Sequence, residues 1–277
     1  MLDIAAAAEK AQRLRELHHA DEPLVLVNAW DVASARIIET VGFPAVATSS
    51  AGVANSLGYS DRENIPRDEM LAAIRRIANS LQVPLSADLE AGYDRSEAGI
   101  AQTIRALIEA GGVGCNIEDG APDADPPFLD TELQARRIAT ARRAAEEAGV
   151  PVVINARTDI LLADPSISDA KIAEVLLRAE AYVRAGADCI FVPGVTDAPL
   201  IERLVRSINA PLNVLAFAAT PPVSELRRIG VKRISLGSSP MAYAIGQFRR
   251  AALEVKQHGT FSFTDQRIPY AELNALF

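Results

Sequence analysis

Residues 131–159 read TELQARRIATARRAAEEAGVPVVINARTD, and this stretch decides the fold. Alanine and isoleucine recur at helical spacing across 131–148, so one face is apolar and the other carries charge. Gly149 follows, where a chain leaving a helix often turns left-handed. The run VVINA (152–156) is apolar without alternation, as expected of a parallel strand covered on both faces. It ends in two charged residues, Arg157 and Asp159.

The same unit recurs in both directions. Eight short strands are predicted: LVLVN (24–28), AVATS (45–49), PLSAD (84–88), GCNIE (114–118), VVINA (152–156), CIFVP (189–193), PLNVL (211–215) and RISLG (233–237). Helix patterns separate them at 31–41, 68–81, 96–111, 131–148, 169–185, 197–208 and 222–229, with Asp31, Asp68, Ser96 and Asp169 as caps or acidic first-turn residues. Eight strands alternating with helices predict an α/β fold, a (β/α)₈ TIM barrel. An open doubly wound sheet would carry a glycine-rich turn after its first strand, where this chain has NAWDVAS. One barrel domain spanning 1–277 is expected, with 239–277 as a C-terminal helical segment beyond what eight units need.

Composition narrows the function classes. The formal net charge of −8 supplies no electrostatic footprint for nucleic acid or an anionic membrane. The N-terminal twenty residues carry charges throughout, unlike a signal peptide. Two cysteines, Cys115 and Cys189, stand far apart with no zinc spacing, so reduced thiols and a cytoplasmic location are expected. His18, His19 and His258 fall in terminal helices and are expected at the surface. Met70 and Met241 read as core or interface positions.

In α/β barrels the chemistry sits at the C-terminal strand ends. The third strand ends in Asp88 and Glu90, two residues apart and therefore expected to face one point. The next strand ends in Glu118 and Asp119. Three converging carboxylates repel unless a cation joins them, and hard oxygen ligands without His or Cys favour Mg²⁺, with Mn²⁺ as the alternative. Asp88, Glu90 and Glu118 are the expected metal ligands; Asp119 and Asp159 fit helix caps. Arg157 is the expected grip for a substrate carboxylate. Tyr59, Tyr93, Asp123 and Asp125 are weak candidates for a general base. Trp30 lines the pocket floor or simply packs, and Asn213, on the seventh strand, is a candidate substrate contact.

The segments NAWDVASARIIETVGF (28–43), TSSAGVANSLGYSD (48–61), ADLEAGYD (87–94), CNIEDG (115–120) and NARTD (155–159), taken in order, resemble the isocitrate lyase / phosphoenolpyruvate mutase superfamily. The resemblance implies a barrel whose eighth helix is swapped onto a neighbouring subunit, giving a homodimer or homotetramer. It also implies Mg²⁺ held by Asp88, with Glu90, Glu118 and Asp61 mostly through water. Arg157 would bind substrate, and Ser49, Ser50 and Ala51 would offer hydroxyl and N–H groups to its carboxylate. Isocitrate and methylisocitrate lyases carry a KKCGH-like or KRCGH-like loop after the fourth strand, and phosphonomutases a KTNS-like one. Here the loop is DGAPDADPPFLD (119–130), without Cys, Lys, His or Asn. A Mg²⁺-dependent C–C lyase acting on a small 2-oxo acid, decarboxylating an oxaloacetate-like substrate, is therefore expected. A P–C bond enzyme and a non-catalytic metabolite-binding barrel are the alternatives.

Overall fold

A computed structural model describes residues 3–121, 123–164 and 166–277. Nine parallel strand segments form one sheet: β1 (Leu24–Leu26), β2 (Asn28–Ala29), β3 (Val46–Thr48), β4 (Leu85–Asp88), β5 (Gly114–Glu118), β6 (Val153–Arg157), β7 (Cys189–Phe191), β8 (Leu212–Leu215) and β9 (Arg233–Ser235). Their order is β1-β9-β8-β7-β6-β5-β4-β3-β2. β1 and β2 are two halves of the predicted first strand, split at Val27. The first half pairs with β9 and the second with β3, which closes the TIM barrel.

Asn28 explains why the closure holds. Its side-chain amide donates to the Thr48 carbonyl at 2.8 Å, and its oxygen accepts from the Leu236 and Gly237 amides at 2.9 Å. One buried side chain thus replaces ladder hydrogen bonds on both flanks.

The helices follow the predicted pattern with small shifts. α2 (Val32–Val41) begins with a capping box between Asp31 and Ser34 and ends at Gly42 with φ 101°. α5 (Glu97–Glu109) is capped by Ser96, α6 (Thr131–Glu147) by Asp130 and α9 (Ala198–Ser207) by Asp197. α8 (Asp169–Arg184) is capped by Ser168, leaving Asp169 in the first turn. α4 (Arg67–Asn79) has Pro66 at its cap with no side-chain bond, so Asp68 is an acidic first-turn residue. α10 (Val223–Ile229) completes the predicted set. α1 (Ile4–Leu17) is the expected N-terminal helix, ending at His18, while α3 (Ser50–Ser56) inside the long polar segment and the short α7 (Ile160–Ala163) lay outside the predicted set.

His18 is a correction. It is buried, not at the surface. Its Nδ1 lies 2.8 Å from the Leu14 carbonyl and its Nε2 lies 3.3 Å from Arg233 Nη1. Burial, followed by the adjacent guanidinium, pushes its pKa down to about 3, so the ring is neutral. Both cysteines are free and buried, and burial raises each thiol to about 12.

α11 (Ser239–His258) leaves the barrel, with Met241 its one buried residue and Tyr243, Ile245 and Phe248 exposed. A 3₁₀ turn (Ser262–Gln266) and α12 (Tyr270–Asn274) follow, both without buried residues. Among the described residues no helix is long and apolar enough to cross a membrane.

Candidate active site

A cavity of about 780 Å³ opens at the C-terminal strand ends. Ser50, Asp61, Glu90, Glu118, Arg157 and Asp159 line it, with Asp123 and Phe128 of the 119–130 loop and two further arginines, Arg62 and Arg95. Arg95 lies 3.6 Å from Asp123 across the mouth.

Asp88 ends β4 just behind this wall. One of its oxygens accepts from the Ser50 hydroxyl at 2.8 Å and amide at 3.2 Å; the other accepts from Asn116 at 3.3 Å. Ser50 opens α3, whose cap is Ser49, so that helix start delivers two donors to Asp88. Glu90 reaches the cavity by a different route from the one expected. The strand stops at Asp88, and Glu90 sits in a turn with φ +52°, so strand alternation does not aim it. Left-handed backbone is unusual for a residue with a side chain and marks a position held by its surroundings. The Glu90 carbonyl accepts from the Glu118 amide at 2.9 Å. Arg137, buried on α6, supports the same turn by donating to the carbonyls of Ala91 and Asp94.

Charge in this site is uncompensated on one side. Glu90 Oε2 accepts from the Glu63 amide at 2.8 Å, while its buried Oε1 has no hydrogen-bond partner among the described residues. Burial, then Asp88 and Asp61, push the Glu90 carboxyl up to about 8. Burial also holds Glu118 well above the ordinary range, against the pull of Arg157. Among the described residues no three Asp, Glu, His or Cys groups form a ready-made cation cage. The orphaned Glu90 oxygen and all-oxygen donor set still fit a hard cation that keeps most of its waters and takes few direct carboxylates.

Arg157 forms the opposite pole. Its Nη1 lies 2.8 Å from Glu118, and Nε and Nη2 donate to Asp159 at 2.6 and 2.9 Å. The guanidinium also lies over Phe191, 5.6 Å from the ring centre. Asp159 occupies the N-cap position of α7 as expected, but its side chain makes no capping bond and instead clamps Arg157 in a bidentate pair.

The other sequence-predicted residues are scattered. Ser50 and Asp61 line the cavity, whereas Ser49 and Ala51 do not. Ser49 spends its hydroxyl on the Gly52 amide. The Tyr59 hydroxyl donates to Glu69 on α4 at 2.9 Å, outside the cavity lining. Trp30 lines a separate, largely apolar groove of about 510 Å³ with Leu57, Ile77 and Phe277. Asn213 is fully buried beside its register partners Phe191 and Arg233, accepts from Ser235 at 3.3 Å and does not line the cavity. Of the base candidates, Asp123 lines the cavity and Asp125 does not, while the buried Tyr93 hydroxyl has no hydrogen-bond partner among the described residues. Arg137, Arg62 and Arg95 escaped the sequence reading. An arginine in the apolar face of α6 was the available signal for the first.

A family model described as phosphoenolpyruvate phosphomutase matches residues 14–256. The chain belongs to this family. Among its relatives is the 2-methylisocitrate lyase of Escherichia coli K12, 32% identical over 257 residues, 87% of this chain and 82% of that one. A structure from Burkholderia cenocepacia J2315, provisionally named a phosphonomutase, is 40% identical with TM-score 0.84, over 91% of this chain and 99% of the other. A 2,3-dimethylmalate lyase of the PEP mutase/isocitrate lyase superfamily is 26% identical with TM-score 0.84, over 96% and 94%. The protein is thus an enzyme of this superfamily of lyases and mutases, whose members are metal-dependent.

Proposed function

We propose that this enzyme is a cytoplasmic C–C lyase that uses Mg²⁺, or Mn²⁺ in its place, and acts on a small 2-oxo dicarboxylate, with oxaloacetate decarboxylation as the favoured reaction. The observation that carries it is the polarity of the cavity. Glu90, buried and with one carboxylate oxygen unpartnered among the described residues, shares the cavity with the Arg157 guanidinium, which Glu118 and Asp159 hold in place.

Asp88, Glu90 and Glu118, with Asp61 through water, would hold the cation. When bound it would act as a Lewis acid toward the 2-oxo group. Arg157 orients the substrate by gripping a carboxylate, its own position fixed by Asp159. The C3–C4 bond breaks, CO₂ leaves, and the bonding pair moves onto the 2-oxo oxygen as an enolate. Proton uptake at C3 then gives pyruvate. No base is needed to start this sequence, which suits a 119–130 loop lacking Cys, His and Lys. Closing that loop would exclude water.

The likeness to the Burkholderia phosphonomutase favours a second reading, cleavage of a P–C bond. Incubation with oxaloacetate and with phosphonopyruvate, each with Mg²⁺, separates the two. Release of CO₂ and pyruvate is expected from the first; phosphate in the phosphorus NMR spectrum of the second, with oxaloacetate untouched, would reverse the assignment. Asp88→Ala is expected to lose cation binding and turnover while keeping its circular dichroism.

The exposed Tyr243, Ile245 and Phe248 of α11 support assembly into a homodimer or homotetramer, the helix packing on another copy. Sedimentation would test this, with a monomer refuting it.

A further inference from the structure

Behind the cavity, and absent from its lining, three polar side chains are buried together: Asp119, Arg178 and Tyr182. Asp119 follows β5; Arg178 and Tyr182 stand one turn apart on α8. Asp119 Oδ2 accepts from the Tyr182 hydroxyl at 2.8 Å and from Arg178 Nη1 at 3.0 Å. Its Oδ1 accepts from the Asp159 amide at 3.0 Å. Asp159 is the residue whose carboxylate clamps Arg157.

The same group gathers both ends of the 119–130 loop. The Leu129 amide donates to the Asp119 carbonyl at 2.8 Å, and Arg178 donates to the Leu129 carbonyl at 2.9 Å. Arg178 also lies over Phe128, 5.9 Å from its ring centre, and Phe128 lines the cavity. The Asp119 amide donates to the Arg157 carbonyl at 3.2 Å. One buried carboxylate therefore touches the neck of the substrate loop and the turn that aims the substrate-gripping arginine.

We propose that Asp119, Arg178 and Tyr182 are positioning residues that hold Arg157 and the neck of the 119–130 loop in mutual register, and so set the affinity of the site for its carboxylate anion. This rests on the reading of Arg157 as the anion grip. The three touch no substrate; they act through Asp159 and Leu129. Tyr182 supplies one of two donors to Asp119 Oδ2, and removing its hydroxyl leaves the carboxylate paired with Arg178. Lysine at 178 keeps the charge but loses the Nε bond to Glu174 and the flat face over Phe128, which together aim Nη1 at Asp119 and the Leu129 carbonyl.

The test uses Tyr182→Phe and Arg178→Lys in the full-length protein, with oxalate as probe in the presence of Mg²⁺. Calorimetry is expected to show oxalate binding weakened about tenfold by Tyr182→Phe and more by Arg178→Lys, as for other supports of a binding group. Melting temperatures should fall by about 3 °C for the first. Without ligand, limited proteolysis should cut the 119–130 loop faster in both variants. Oxalate binding within twofold of wild type, with unchanged loop cleavage, would overturn the proposal, whatever the melting temperature does. If wild-type protein binds no oxalate, the functional reading has failed, and loop cleavage alone decides: acceleration supports the neck, no change overturns it.

Discussion

Replacing Glu90 with glutamine in metal-free protein should make the enzyme more stable, and only at neutral and higher pH. The carboxylate is buried, one oxygen has no partner among the described residues, and Asp88 and Asp61 repel its charge. Its folded pKa of about 8 stands above the ordinary 4.5. Between those values the folded state binds more protons than the unfolded chain, so stability falls as pH rises through that window. Below 4.5 both states are protonated and the penalty vanishes. At about 1.4 kcal/mol per pH unit, charging Glu90 costs about 3 kcal/mol by pH 7 and about 5 kcal/mol at most by pH 8. Glutamine keeps an oxygen for the Glu63 amide and removes the charge. Urea unfolding in EDTA, run from pH 4 to pH 8.5, should give a Glu90→Gln gain of about 2–3 kcal/mol at pH 7.5 that disappears at pH 4. Added Mg²⁺ should then stabilise wild type more than the variant, because the same charge that burdens the metal-free fold attracts the cation. A loss of stability in the variant, or a gain independent of pH, would refute the claim that Glu90 sits uncompensated.

Further outcomes follow from the same contacts. Arg157→Met leaves the half-buried Glu118 and Asp159 without their cation, so at pH 7 it should cost about 2–3 kcal/mol by urea unfolding and abolish oxalate binding by calorimetry. His18→Gln retains an acceptor for Arg233 but cannot charge; a histidine with a depressed pKa loses stability as pH falls from 6.5 toward about 3, so the variant should melt at a higher temperature than wild type at pH 4.5 and equally at pH 7.5. Asn28→Ala removes the donor and acceptor that close the barrel and should lower stability by about 2–4 kcal/mol, with the denaturant midpoint as the measure.

The barrel was legible because its signal is local. Continuously apolar runs such as VVINA, glycines at helix ends and side-chain caps such as Asp31 each declare their role within a few residues. Arg157 and Glu118 were legible for the same reason: a charge closing an apolar strand is conspicuous, and barrel geometry says where strand ends point. The misreadings came where side-chain direction depends on something distant. Glu90 was assigned to the face of Asp88 by strand alternation, but the strand had already ended. Asn213 is fully buried, bonded to Ser235 of the next strand and absent from the cavity lining. The bonds from Asp119 to Arg178 and Tyr182 span 59 and 63 residues, and no pattern within one segment announces them.

Arg233 shows what such distant bonds accomplish. Its guanidinium is fully buried in the barrel, and no carboxylate pairs with it among the described residues. Instead it donates to Ser86 and Asn116 at 3.2 Å and meets His18 Nε2. Asn116 in turn donates to Asp88 at 3.3 Å and accepts from Asn155 at 2.7 Å. A polar column thus runs from the end of α1 through the barrel to the acid at the cavity wall. Burying such a cation is costly unless every neighbour is an acceptor. A neutral His18 whose Nδ1–H is given to Leu14 leaves Nε2 free to accept; a protonated one would set a second cation against the first. The helix that plugs the bottom of the barrel therefore keeps the column in the charge state that lets Asn116 hold Asp88. Acid that protonates His18 should loosen Asp88 as well as α1.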